Sequence, residues 1–342
     1  MSTKNPILTQ IVLGLFMLCS QADAQELQAY HFDQPAMGTK LNIILYAENQ
    51  LIANKGAKAA FDKVNDLNAI FSDYMEHSEV NCLYKEGNLG RWINISKALF
   101  DLLSVSKKIS KDTHGAFDIT VGAYTQLWRK SKKMGKLPSQ KQLAEAKKSI
   151  GFKAIRLNHK RMAVKIKKEK LRIDFGAIAK GYAAQQILKL LGNYGIDRAL
   201  VDFGGDITVS DPPPNKKGWS IEVNDHSGAR TYPDLFLLDN GSVATSGDLY
   251  QNISVNNKTY SHIINPSTGL GITESIQVTV ISRSGTLADA FATAFSVMDK
   301  EDIKKFLKKK RNKDMHVLIS YVQNGSVKVW ASEHLHTFKS RP

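Results

Sequence analysis

The sequence predicts an α+β fold in which mixed or antiparallel sheets pack against helices, and three observations carry that prediction. Segments with the two-residue alternation of strands and segments with helical spacing both occur, but they do not alternate in a βαβ rhythm. Asn324-Gly325 stands between two apolar runs, the local signature of an antiparallel hairpin. No internal repeat and no low-complexity linker interrupts the chain.

Taken in order, Thr39 to Tyr46 alternates and is rich in Ile and Leu, so it is expected as a strand. From Leu51 to Phe71, residues Ile52, Ala59, Ala60, Val64, Leu67, Ile70 and Phe71 recur at helical spacing. Ser96 can cap a second helix that turns Leu99, Leu102, Leu103, Val105 and Ile109 inward. Lys136 to Ile150 is expected as a polar, Lys-rich surface helix. Three short strands are expected within residues 154–174, joined by basic turns, followed by a helix at Ala179 to Leu191. Ala199 to Phe203 and Asp206 to Val209 are expected as strands around Gly204-Gly205. The run Pro212-Pro213-Pro214 marks a surface loop. Further strands are expected at Trp219 to Val223, Leu235 to Leu238 and Val278 to Ile281. Leu287 to Val297 and Glu301 to Lys309 are expected as helices, and Val317 to Tyr321 with Val327 to Trp330 as the closing hairpin.

Residues 1–24 have the form of a secretory signal peptide: Lys4, a short apolar run from Ile11 to Leu18, and small residues at Ala22 and Ala24. The apolar run is too short to span a bilayer. The mature chain is then 25–342, and an exported, periplasmic location is expected. Cys19 raises lipidation, but Leu18 stands where a lipoprotein signal wants a small residue. The only other cysteine is Cys82, so neither an internal disulfide nor a cysteine-rich metal site can stabilise the mature chain.

The net charge is +15, with Lys concentrated in Arg129 to Lys148, Lys165 to Arg172 and Lys304 to Lys313. That excess suits steering of an anionic, phosphate-bearing ligand or contact with an anionic surface, and it equally suits a solvated face. None of these runs interleaves aromatics as a nucleic-acid platform does, so nucleic acid is not an expected partner.

Asp289 and Thr293 lie four residues apart in the small, apolar run Leu287 to Phe295, so their oxygens leave one helical face together. Carboxylate and hydroxyl oxygens are ligands for a hard cation such as Mg²⁺; capping of backbone groups is the other reading. Asp174 to Gly181 links a strand to a helix. Its glycines permit close backbone approach, and Lys180 can meet an anion at the helix start. The segment has neither Walker nor Rossmann spacing. Asp118, within Gly115 to Trp128, can accept from a ligand ring or cap the residues after it. His262 precedes the turn-rich Asn265-Pro266 and Thr268-Gly269, and loops of that kind carry function. Met37 sits at a glycine turn, where core filling is the ordinary use of Met.

In chain order, the blocks Ala36 to Thr39, Tyr74 to Leu83 with Ser78-Glu79, Gly115 to Trp128, Asp174 to Ala183, Asp202 to Asp206, Ser246 to Asp248, Ser261 to Gly269 and Asp289 to Phe295 resemble the ApbE family, the FAD:protein FMN transferases. The resemblance spans nearly all of the mature chain. It implies an ApbE-like fold and an Mg²⁺-dependent transfer of FMN from FAD to a Thr or Ser hydroxyl of an exported or membrane-associated acceptor protein, with release of AMP. It implies that Met37 and Tyr74 pack on the flavin nucleotide, and that Ala116, Phe117, Asp118 and Ile263 help to form its pocket. Asp174 and Lys180 would contact FAD. The Ala177 carbonyl, Asp289 and Thr293 would ligate the metal, and His262 would activate the acceptor hydroxyl.

The sequence departs from the family pattern at Asn265 and Ser267, where an acid and an Arg are frequent, and at Leu249-Tyr250, where the tyrosine falls one residue late. Two other activities share the same motifs: an Mg²⁺-dependent FAD pyrophosphatase that yields FMN and AMP, and a non-catalytic exported flavin-binding protein.

Overall fold

Eight strands make the central sheet of the computed structural model, which describes residues 26–85, 87–224, 236–247, 252–255, 258–333 and 335. They are Gln28–Ala36, Thr39–Ala47, Ala199–Phe203, Ile207–Val209, Gly241–Gly247, Ile276–Ser282, His316–Gln323 and Ser326–Ala331. Their order across the sheet is their order in the chain, and every neighbouring pair is antiparallel. Residues 48–198 are inserted between the second and third strands, which still pair from Leu41↔Phe203 to Leu45↔Ala199. The insert carries the helices Gln50–Phe71, Lys97–Asp112, Gly122–Met134, Gln140–Ser149 and Ala179–Gly192, together with a three-stranded sheet of Ile93–Asn94, Ala163–Ile166 and Ile155–Asn158.

Alternation along the strands decides which layer covers which face. Leu41, Ile43, Leu45, Val201, Phe203, Val278, Val280, Val317 and Ile319 join the main core under the helices. Their neighbours Leu200, Val209, Val243, Ile281 and Leu318 meet Trp219, Ile221 and Leu238 on the opposite face. Helices therefore cover one face of an antiparallel sheet, the α+β arrangement expected from the sequence.

The helix capped by Ser96 forms as expected, with the Ser96 side chain accepting from the Leu99 backbone N–H. The closing hairpin turns at Asn324-Gly325, where both residues have positive φ. Gly122–Met134, where no element is expected from the sequence, is a helix ended by Gly135 at φ 63°. Two local expectations are corrected. The next helix runs from Gln140 to Ser149 rather than from Lys136, because Ser139 and Gln142 form a reciprocal capping box. The third strand expected within residues 154–174 contributes one isolated bridge, Val121↔Arg172. Its remaining donors go elsewhere, Ile173 N–H to the Tyr84 hydroxyl and Asp174 N–H to the Ile119 carbonyl. Residues 1–24, expected as a signal peptide, with Cys19, and Asp248 to Tyr250 lie outside the described residues.

Candidate active site

Two helix starts meet at Gly181 and Gly285. A Cβ built on Gly181 would stand 2.6 Å from the Gly285 carbonyl carbon and 2.8 Å from Asp289 Cβ, so only glycine permits this approach. Gln185 fixes the second helix, its side-chain oxygen accepting from the Ser284 and Thr286 hydroxyls at 3.1 Å each. The contact brings Asp289, one turn into Gly285–Val297, against the first turn of Ala179–Gly192, and Asp289 Oδ2 accepts from the Gly181 N–H at 2.9 Å.

That bond caps the start of the Ala179–Gly192 helix. Gly181 is the third residue of the helix, so its N–H is one of the first-turn donors that have no acceptor within it. Asp289 satisfies that donor from the neighbouring helix, and among the described residues no donor reaches the carbonyl of Ala177, which precedes the helix. Thr293 lies one further turn along the Asp289 helix, half-buried, and its hydroxyl makes no hydrogen bond among the described residues. The capping reading of Asp289 is thus realised across helices, while the Ala177 carbonyl and the Thr293 hydroxyl make no hydrogen bond among the described residues.

Charge at this junction is unbalanced. Lys180 forms a short ion pair with Asp206, which lies just before the Ile207–Val209 strand and is 6% exposed. Burial works against the Lys180 ammonium, yet Asp206 and, behind it, Asp289 outweigh that and raise its pKa. Asp289 is 5% exposed. Burial and then the Asp206 charge push its carboxyl up to about 7, against the opposing pull of Lys180 and of the Gly181 and Lys180 backbone N–H groups. Two buried carboxylates share one ammonium. The site therefore has the oxygen donors and the deficit of positive charge that suit Mg²⁺.

A second cluster joins Asp174 to Tyr74. Asp174 Oδ1 accepts from the Gly176 N–H at 2.8 Å and so shapes the turn before Ala177. Its other oxygen lies 3.8 Å from Arg129, whose guanidinium binds Asp73 at 2.7 Å and sits 3.9 Å from the centroid of the exposed Tyr74 ring. Burial raises the Asp73 pKa, with Arg129 opposing and Asp174 adding to it.

The remaining predicted residues flank these two clusters. Met37, at φ 48°, and Gly38 turn the first hairpin. An open cleft beside that turn is lined by Asp33, Met37, Thr39, Lys40, Asn65 and Asn68. The Thr39 hydroxyl lies against Gly204, which ties the turn to the Gly204-Gly205-Asp206 loop and so to Lys180. Ala116 is half-buried and Phe117 is in the core. The Asp118 carboxylate is held by the protein itself. Oδ1 accepts from the Thr120 backbone at 2.8 Å and the Thr120 hydroxyl at 2.7 Å, and Oδ2 from the Phe152 N–H at 3.0 Å. Of its two readings, the structure shows the cap; the Asp174 N–H bond to Ile119 then ties this loop to the site.

His262 is exposed and Ile263 buried on a loop that docks on the Gly122–Met134 helix. Trp128 Nε1 donates to the Gly269 carbonyl at 2.7 Å, and Gly269, at φ 75°, lies flat on the Tyr124 ring. Sequence reasoning missed Arg129, Asp73 and Asp206. Arg129 was hidden in a Lys-rich run, and Asp206 in a glycine turn that needs no ligand to explain it.

Residues 37–319 match the ApbE family. The chain is 28% identical over 308 residues to the FAD:protein FMN transferase of Chlamydia muridarum (strain MoPn / Nigg), covering 88% of this chain and 95% of that protein. It is 26% identical to the FAD:protein FMN transferase of Escherichia coli (strain K12), covering 79% of this chain and 77% of that one. Among solved structures, the ApbE protein of Thermotoga maritima superposes with a TM-score of 0.80 at 30% identity, covering 92% of this chain and all of that one. The flavin transferase ApbE of Vibrio cholerae superposes with a TM-score of 0.79 at 22% identity, covering 91% of this chain and 99% of that one.

Proposed function

The chain belongs to the ApbE family, and from that premise we propose that it transfers FMN from FAD to a Thr or Ser hydroxyl of an acceptor protein, releasing AMP. Its relatives in Chlamydia muridarum and Escherichia coli carry the name of that activity over most of their length. The observation that supports the metal-dependent part is that the Ala177 carbonyl and the Thr293 hydroxyl, on the two segments that the Gly181–Asp289 bond joins, make no hydrogen bond among the described residues.

Ala177, Asp289 and Thr293 would hold the Mg²⁺. When bound, the ion supplies a Lewis acid that neutralises charge on the pyrophosphate. Lys180 adds a fixed positive charge at the start of its helix, where the helix dipole also favours an anion. Tyr74, stacked on Arg129, offers a flat apolar face for a ring of the dinucleotide, and Met37 offers a second surface at the hairpin turn. Asp174 stands between these groups and the Ala177 turn.

In the transfer, the acceptor oxygen attacks the phosphorus of the FMN half. A new phosphoester bond forms, the bond from that phosphorus to the bridging oxygen breaks, and AMP leaves with that oxygen. The hydroxyl proton passes to the His262 imidazole. Export through the residue 1–24 leader places enzyme and acceptor together outside the cytoplasm.

The test is to incubate the mature protein with FAD, Mg²⁺ and exported proteins of the source organism, then to look for covalently bound flavin. Flavin-labelled protein together with AMP is the expected result. AMP without labelling would replace the transferase by a pyrophosphatase, and tight FAD binding without turnover would replace it by a carrier. For His262→Ala, slow transfer with FAD binding retained is expected; an unchanged rate would remove His262 from the mechanism.

A further inference from the structure

The net positive charge of this chain equals the excess carried by one stretch. Residues 129–172 hold 17 of its 47 Lys and Arg and 2 of its 32 Asp and Glu, an excess of 15 that equals the net charge of the whole chain. Everything outside that stretch carries 30 charges of each sign. A surface charged only for solubility has no reason to be partitioned in this way, since like charges crowded together repel.

The stretch lies beside the candidate site. Its Trp128 neighbour anchors Gly269, Lys147 Nζ donates to the Ser267 carbonyl at 2.9 Å, and Arg129 reaches Asp174. Of its two acids, Glu145 is already taken, by Lys148 at 2.8 Å and Lys170 at 3.5 Å. Lys130, Lys132, Lys133, Lys136 and Lys141 are exposed and make no ion pair among the described residues. The Gly122–Met134 helix alone is about 20 Å long, the scale of a protein footprint rather than of one pyrophosphate.

We propose that this basic face is the docking surface for an acidic acceptor protein, which it holds so that the acceptor hydroxyl enters at the neighbouring loop of His262 to Gly269. The inference rests on the flavin-transfer reading. It favours a protein over an anionic membrane because both helices, Met134 at the end of the first excepted, turn their large apolar residues, Tyr124, Trp128 and Leu143, into a buried cluster. A helix lying in a bilayer surface presents such residues outward. The geometry also fits the reaction, since a protein substrate must be held next to the residue that takes its proton.

The test replaces Lys130, Lys132, Lys133, Lys136 and Lys141 with Glu in the mature protein. The acceptor pool is an extract of the organism's own exported proteins, and the binding probes are FAD and phosphatidylglycerol vesicles. The expected result is that kcat/KM for flavin labelling falls about tenfold or more, as steering is lost, while FAD affinity and thermal stability stay unchanged. Labelling by the wild type should weaken steeply as salt rises, a readout independent of any variant, and the five corresponding Lys→Arg changes should keep it. Equal labelling by the wild type and the Glu variant would overturn the docking surface alone. Equal labelling with lost vesicle binding would overturn it in favour of lipid. A wild type that cleaves FAD yet labels nothing would overturn the transfer reading, and the docking surface with it.

Discussion

Replacing Gly181 with Ala should harm the protein although alanine is the better helix former. In an open helix, Gly→Ala gains up to about 1 kcal/mol. At Gly181 the new Cβ would lie 2.6 Å from the Gly285 carbonyl carbon and 2.8 Å from Asp289 Cβ. Ordinary carbon contacts are near 3.5–4.0 Å, so the two helix starts must part by about 1 Å. Forced overpacking of this kind costs about 1–3 kcal/mol, and part of that offsets the gain in propensity. The net expectation is a loss of about 1–2 kcal/mol, or a few degrees in Tm for a chain of this size.

The larger effect should fall on activity, because the same shift draws Asp289 away from Gly181 and from the helix start that follows Ala177. Gly192, at the far end of the helix, is the internal control. Its Cβ would meet nothing closer than 3.7 Å, so Gly192→Ala should be neutral or slightly stabilising. Thermal unfolding and the Mg²⁺ dependence of FAD cleavage, measured side by side, check both. A Gly181→Ala protein with wild-type Tm and wild-type Mg²⁺ activation would refute the reasoning that this contact builds the site.

Lys180→Met should cost about 3–5 kcal/mol, because it leaves Asp206 and Asp289 buried without a cation; adding Asp206→Leu should recover stability but not activity, as read by urea unfolding and AMP release. Stability without metal should fall as pH rises from about 4, the unfolded carboxyl value, to about 7, the value to which Asp289 is pushed. Over that range the folded state holds a proton that the unfolded state has lost, so the slope is negative. Denaturation in chelator at pH 5 and pH 8 checks this, and Asp289→Asn should flatten the difference. Arg129→Ala removes the group that stacks on Tyr74 and pairs Asp73; FAD affinity by fluorescence titration should weaken about tenfold, about 1.4 kcal/mol, and Arg129→Lys should not restore it, because Lys lacks the planar fork.

Much of the fold was legible because burial writes itself into spacing. Thr39–Ala47 and Ile276–Ser282 alternate as strands that cross between two cores, and Ser96 announces its helix through a cap. The Gly122–Met134 helix was not legible. It buries only Gly122, Tyr124, Trp128 and Ser131, too few apolar positions to set a period against its lysines. The Gln28–Ala36 strand is an exposed edge and carries little apolar pattern. In the site, Asp289 and Lys180 could be found from spacing and motif. The closure of the Gly181–Gly285 contact, the sharing of Lys180 between two carboxylates and the bridge through Arg129 could not, because each joins residues far apart in the chain.

The most direct test of the account is the intact mass of a purified acceptor protein after reaction with FAD and Mg²⁺, taken together with the AMP formed. The account predicts that the acceptor gains one FMN on a Thr or Ser hydroxyl, matched mole for mole by AMP, and that Asp289→Ala abolishes both. AMP formed without any gain in acceptor mass, or full transfer by Asp289→Ala, would contradict it.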